Sequence, residues 1–138
     1  MALRKDYIQR QFEEFGKVLA VILRFKLDKD WDNFEKELYA ASRKFTSTEL
    51  DMAENLSAEE FASQVLLRKG MEFDEKKILA RLLFEKLEYY VATGDQRATP
   101  LKTRCEQLYT YLLHNMTENE FDLDVHYKLE LIKKMDLS

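Results

Sequence analysis

Apolar residues recur at helical spacing along nearly the whole chain, most densely over residues 74–92. Wound at ~100° per residue, Ile78, Leu79, Leu82, Leu83, Leu87, Tyr89, Tyr90 and Val91, with Phe84 at one edge, cover roughly 240° of a helix surface. A helix on the rim of a fold shows an apolar stripe nearer ~100° wide. The spacing therefore predicts a central helix touched by neighbours on at least two sides. Asp74 is expected to cap its start, and Gly94 to end it in the left-handed conformation. Only the strip Lys77, Arg81, Glu85 and Glu88 is left to face water. Lys86 falls on the apolar side and is expected to carry its charge outward along its stem.

The same reading places further helices on either side. Over residues 3–25, Ile8, Phe12, Phe15, Leu19 and Ile22 form one seam, widened by Val18 and Phe25, with Gly16 opposite. A second helix over 31–45 turns Trp31, Phe34, Leu38, Ala41 and Phe45 to one face, with acids at its start, where the helix dipole favours them. Residues 46–56 carry no clear period; Ser47 or Thr48 is a candidate cap for one or two turns ending at Glu54. Ser57 and Glu60 then form a capping box for a helix with Ala58, Phe61, Ala62, Val65 and Leu66 inward, closed by Gly70. Thr99 and Pro100 open another helix, proline standing where no amide donor is missed. Its stripe is Leu101, Cys105, Leu108, Leu112 and Met116, flanked by Tyr109 and Leu113. Residues 117–120 turn the chain, and Asp122 or Asp124 caps a last helix with Val125, Leu129 and Ile132 inward. The expected fold is all-α, five to seven antiparallel helices in a single domain over 1–138, with an N-terminal helical pair over 1–45.

Composition narrows the function. At 138 residues the length suits one domain. Three glycines and one proline are too few for a sandwich or barrel, which needs turn residues every ~8–12 positions. A net charge of −4 argues against a nucleic-acid binder, since acids interrupt the basic residues Arg4, Lys5, Arg10, Lys17 and Arg24. The apolar run over 18–23 is far short of the ~20 residues that span a bilayer. The mixed charges on the first helix's polar face argue against its lying on a membrane surface. Cys105 is the single cysteine, so no intrachain disulfide forms and a cytoplasmic setting is expected.

Few residues suggest chemistry. Asp28, Asp30 and Asp32 begin like a calcium loop, but Asn33 replaces its glycine and Tyr39 its bidentate glutamate. Glu85 and Glu88 form a carboxylate pair on the polar strip, and no Glu-x-x-His pattern accompanies them. Asp122, Asp124 and His126 are the densest ligand-like cluster, and the alternative reading is a protein, or an enzyme, that binds a divalent ion or a small molecule there, although aspartates also belong at a helix start. His114, near a helix end, suits the dipole there. Cys105 lies within an apolar stripe and reads as a small buried hydrophobe. No catalytic residue and no cofactor is expected. Tyr89, Tyr90, Tyr109 and Tyr111 stand on consecutive helices, and tyrosine is enriched at binding surfaces. These four are the candidate partner-binding residues of a non-catalytic module for a protein or peptide. Self-association through the first helix is the other expectation for partners.

Leu67, Ala80 and Phe84 fall where the 34-residue tetratricopeptide motif has leucine, alanine and phenylalanine. Gln64 stands in place of its tryptophan and Arg68 of its small residue, and the pattern does not recur. Residues 57–135 thus resemble a degenerate tetratricopeptide-like arrangement. Asp6, Tyr7, Ile8, Arg10, Phe12, Phe15, Leu19, Ile22 and Leu23 resemble the opening of a group of uncharacterised bacterial helical proteins with tetratricopeptide-like C-terminal parts. That resemblance implies a helical fold and a bacterial cytosolic setting, and no site.

Overall fold

The computed structural model describes residues 2–116 and 122–137, with side chains from Asp6 onward. The turn expected at 117–120 and the side chains of Arg4 and Lys5 lie outside the described residues. Among the described residues seven α-helices follow one another: α1 (Ala2–Leu27), α2 (Trp31–Thr46), α3 (Leu50–Glu54), α4 (Ala58–Phe61), α5 (Phe73–Thr93), α6 (Ala98–His114) and α7 (Leu123–Lys134). A π-helical turn, Ala62–Leu66, continues α4. No strand occurs among the described residues.

The caps explain most of the boundaries. Asp30 starts α2 by accepting from the Asn33 amide and side chain. At α4 the capping box is complete: Ser57 accepts from the Glu60 amide at 3.1 Å, and Glu60 accepts from the Ser57 amide at 3.0 Å. Asp122 caps α7 by accepting from the Asp124 amide at 3.0 Å. Gly94 ends α5 at φ 69°, a conformation that costs glycine little. Two expectations shift. Glu72, not Asp74, precedes α5. Gly70 has φ 90° but lies in the turn beyond the π segment, which ends at Leu66.

In the packing, α1 lies on α2, α2 on α5, α5 on α6 and α6 on α7, while α3 fits against both α2 and α5. Buried side chains from all of these form one connected cluster around Leu79, Leu82, Leu83 and Leu87 of α5. The seam of α1 is spent inside this chain: Phe15 and Ile22 are buried, and Phe12, Val18, Leu19 and Phe25 pack partly buried against the same core. No helix among the described residues is long and apolar enough to cross a membrane.

The polar strip of α5 is not solvated as expected. Glu85 is 1% exposed, because the end of α1 covers it. Lys26 donates to Glu85 at 2.8 Å and to Glu88 at 2.5 Å, and Arg81 donates to Glu85 at 2.9 Å. Burial alone would lower the Lys26 pKa, but the two carboxylates outweigh it and the net shift is upward. Lys86 corrects a second expectation. It is 2% exposed and turns inward to a buried carboxylate instead of reaching for water.

Candidate functional site

That carboxylate belongs to Glu54, the last residue of α3. Its Oε1 lies 2.8 Å from Lys86 Nζ, and its Oε2 accepts from the Tyr90 hydroxyl at 2.5 Å. Lys86 also donates to the Tyr39 hydroxyl of α2. One charged pair thus ties four side chains from α2, α3 and α5. Burial works to lower the Lys86 pKa, yet Glu54 and Tyr39 together raise it, so the ammonium stays charged. Burial, followed by the bond to Glu54, pushes the Tyr90 hydroxyl far up. A five-residue helix cannot hold itself. The ion pair at its C-terminal end, with Leu50 and Ala53 buried beneath it, fixes α3 in place.

Arg97 stands on the outer side of this network, its guanidinium 4.7 Å from the centre of the Tyr90 ring. Asp95 holds it there, accepting from Arg97 Nε at 3.1 Å and from Nη2 at 2.7 Å. Those bonds bring the Asp95 carboxyl down to about 2. Between Arg97 and the chain leaving α3 is a cleft of about 260 Å³. Residues 54–57 form one wall, and Arg97, just before α6, with Leu101 and Arg104 of α6 the other. Glu54 is matched by Lys86 and Arg97 by Asp95. Arg104 is not: its Nη1 is buried and has no acceptor among the described residues. One turn on, Gln107 donates to the Ala58 carbonyl at 3.0 Å while its own Oε1 is buried without a donor.

A second cleft, of about 400 Å³, lies on the other side of Leu56. Thr48 and Met52 line one side of it, and Gln64, Val65 and Arg68 the other. The π turn shapes this wall. Such turns carry a side chain out of helical register and recur at functional sites. Lys76, itself buried, donates to the Leu66 carbonyl at 2.7 Å and closes the end of the turn. Arg68 donates to Thr48 Oγ1 at 3.2 Å, and Met52 is 50% exposed. Leu56 lines both clefts, so the two flank one side chain and together make the candidate groove across α3.

The residues singled out from the sequence lie elsewhere. Tyr90 and Tyr109 are buried, the first under Arg97 and the second edge-on to Phe84 with centroids 6.4 Å apart. Each fills space between helices. Tyr89 is half-buried against Trp31, 4.8 Å between centroids, and a bond to Glu35, then burial, pushes its hydroxyl up to about 12. Tyr111 is half-buried, with the Lys76 ammonium 5.0 Å from its ring. Tyr89 and Tyr90 lie ring against ring, 5.7 Å between centroids, while Tyr109 and Tyr111 face other neighbours. Asp122, Asp124 and His126 are not brought together either. Asp122 pairs with Lys77 at 2.6 Å and Asp124 with Lys128 at 3.0 Å. No group of three His, Cys, Asp or Glu side chains among the described residues is placed to hold a metal ion. Cys105 is buried, and burial pushes its thiol well above the ordinary range.

Sequence reasoning missed Glu54, Arg97 and Arg104. One signal was present: a lysine at a core position of a helix calls for a buried carboxylate, and Lys86 was such a residue. No family model, curated protein or solved structure matches the chain, so the reading of the groove rests on its own geometry.

Proposed function

We propose that this protein is a non-catalytic binding module that takes an extended segment of another protein in the groove across α3. The observation that carries the reading is that Leu56 lines both clefts, so that an extended segment laid across it reaches the two in turn. The groove's lining suits a peptide, with apolar contact from the accessible Met52 and Leu56 and polar groups on both walls. Catalysis has little to work with here. The Cys105 thiol is buried and held protonated, and Lys86 is held charged, whereas a nucleophilic amine needs a lowered pKa.

For the C-terminal half we propose a degenerate tetratricopeptide-like architecture. Ala80 and Phe84 support it, being buried at motif positions; Leu67, 70% exposed, departs from it. A random peptide library displayed on phage tests the binding reading. Peptides recovered on the protein should lose at least tenfold in affinity for a Met52→Glu variant, which alters an exposed side chain of the groove and leaves the core intact. Failure to recover peptides, or binding indifferent to Met52→Glu, would refute it.

A further inference from the structure

Charge along the groove points to the chemistry of its occupant. The chain as a whole is acidic, with a net charge of −4. Among the described residues, Arg68 and Arg104 have no carboxylate partner: the first bonds only the Thr48 hydroxyl, and the second leaves Nη1 without any acceptor. The other charges at the α6 end of the groove cancel in pairs, Glu54 with Lys86 and Asp95 with Arg97. Arg104 thus provides one unneutralised guanidinium in a partly enclosed cleft, where an opposite charge is screened less than on an open surface. A guanidinium fork matches a carboxylate with two parallel bonds. Turning the half-buried Arg104 side chain toward a carboxylate in the cleft gives its unmatched nitrogen the acceptor it lacks.

We propose that the cleft between residues 54–57 and α6 is a carboxylate subsite, in which Arg104 anchors an acidic side chain of the bound segment. Arg97, held by Asp95 and stacked on Tyr90, is the fixed edge of the subsite; Arg68 places a second cation farther along, beyond Leu56. The carboxylate is a side chain rather than a chain terminus. Arg97 and Pro100, which line the cleft, are exposed, so a segment that crosses Leu56 has room to run on past them. The inference rests on the peptide-binding reading, and the experiment separates the two.

Three blocked amino acids serve as probes at constant ionic strength: N-acetylglutamate amide, N-acetylglutamine amide and N-acetylglutamine with a free α-carboxylate. Nitrogen-15 NMR spectra of the full chain, including the arginine Nε–H signals, report where each binds. The glutamate amide should shift Ser57, Leu101 and Arg104 saturably and bind at least tenfold more tightly than the glutamine amide. Arg104→Gln should abolish that preference and Arg104→Lys retain part of it, both variants keeping the helical circular dichroism of the parent. Arg43→Gln, at an exposed arginine paired with Glu49, should change nothing. Equal binding of the two amides at these residues would overturn the carboxylate preference yet leave the peptide-binding reading in place. Shifts scattered over surface cations, no saturable shift, or tightest binding by the free α-carboxylate would overturn the subsite as stated. Loss of the displayed peptides with Met52→Glu tests the underlying reading independently.

Discussion

Replacing Glu54 by alanine removes the one carboxylate in the buried network and should be among the most damaging single changes in this protein. The side chains of Lys86 and Glu54 are 2% and 6% exposed, so the ammonium left behind cannot reach water without moving α3. Breaking a buried pair by deleting one partner costs about 3–5 kcal/mol. The Tyr90 hydroxyl also loses its acceptor, worth about 1–3 kcal/mol alone. The terms overlap, because Tyr39 still accepts from Lys86, and a total of about 3–5 kcal/mol is expected. A chain of 138 residues has a stability of roughly 7–20 kcal/mol, so the variant should fold but unfold at much lower denaturant. Urea unfolding followed by far-ultraviolet circular dichroism measures the loss. Glu54→Leu combined with Lys86→Met removes both charges and should recover at least half of it, since apolar replacements of a buried pair are often neutral. A loss below about 1 kcal/mol for Glu54→Ala, a tenth or less of a typical domain's stability, would refute the network as the device that holds α3. So would a double variant no more stable than the two single losses added.

Other consequences follow from single positions. Gly16 lies on the exposed side of α1 with nothing within 4 Å of an added Cβ, so Gly16→Ala should stabilise the protein by about 0.5–1 kcal/mol in the same urea assay. Cys105 should label slowly with a thiol reagent at neutral pH, and only as the chain opens; immediate labelling of folded protein would contradict its burial. Lys26, Lys86, Tyr89 and Tyr90 all have pKa values raised in the folded state. A raised value means that the folded state binds the proton more tightly. The stability they contribute is therefore complete below about pH 10, where the unfolded groups are protonated, and falls as pH rises through the folded values. Unfolding free energies measured from pH 8 to pH 12 should decline above pH 10, and a flat profile would contradict the bonds to Glu54, Glu85, Glu88 and Glu35.

Much of the core was legible in the sequence, because helical periodicity records which positions avoid water. Ile78, Leu79, Leu82, Leu83 and Leu87 lie buried where their spacing put them, and the caps at Ser57 and Gly94 declared two boundaries. Periodicity is silent about charges that avoid water in pairs. Glu85 and Lys86 were read as solvated because their partners, Lys26 and Glu54, belong to helices distant in sequence. The short helix α3 has too few turns for a period and no side-chain cap at Glu49. The groove was illegible for the same reason. Arg104 looks like an ordinary surface cation until residues 54–57 form the wall opposite it, and Arg97 stays exposed at the edge. The tyrosines are ambiguous in sequence, since a ring with a polar tip suits a binding surface as well as a buried bond such as that of Tyr90 to Glu54.

The central claim, that the groove across α3 receives an extended acidic segment, is tested most directly by mapping a bound peptide. Nitrogen-15 NMR spectra of the full chain, recorded with the strongest peptide from the display selection, locate the contact residue by residue. The account predicts shifts centred on Met52, Leu56, Gln64, Arg68, Leu101 and Arg104, lost together in Met52→Glu. Shifts centred instead on α1 or α7, with the groove unmoved, would contradict it.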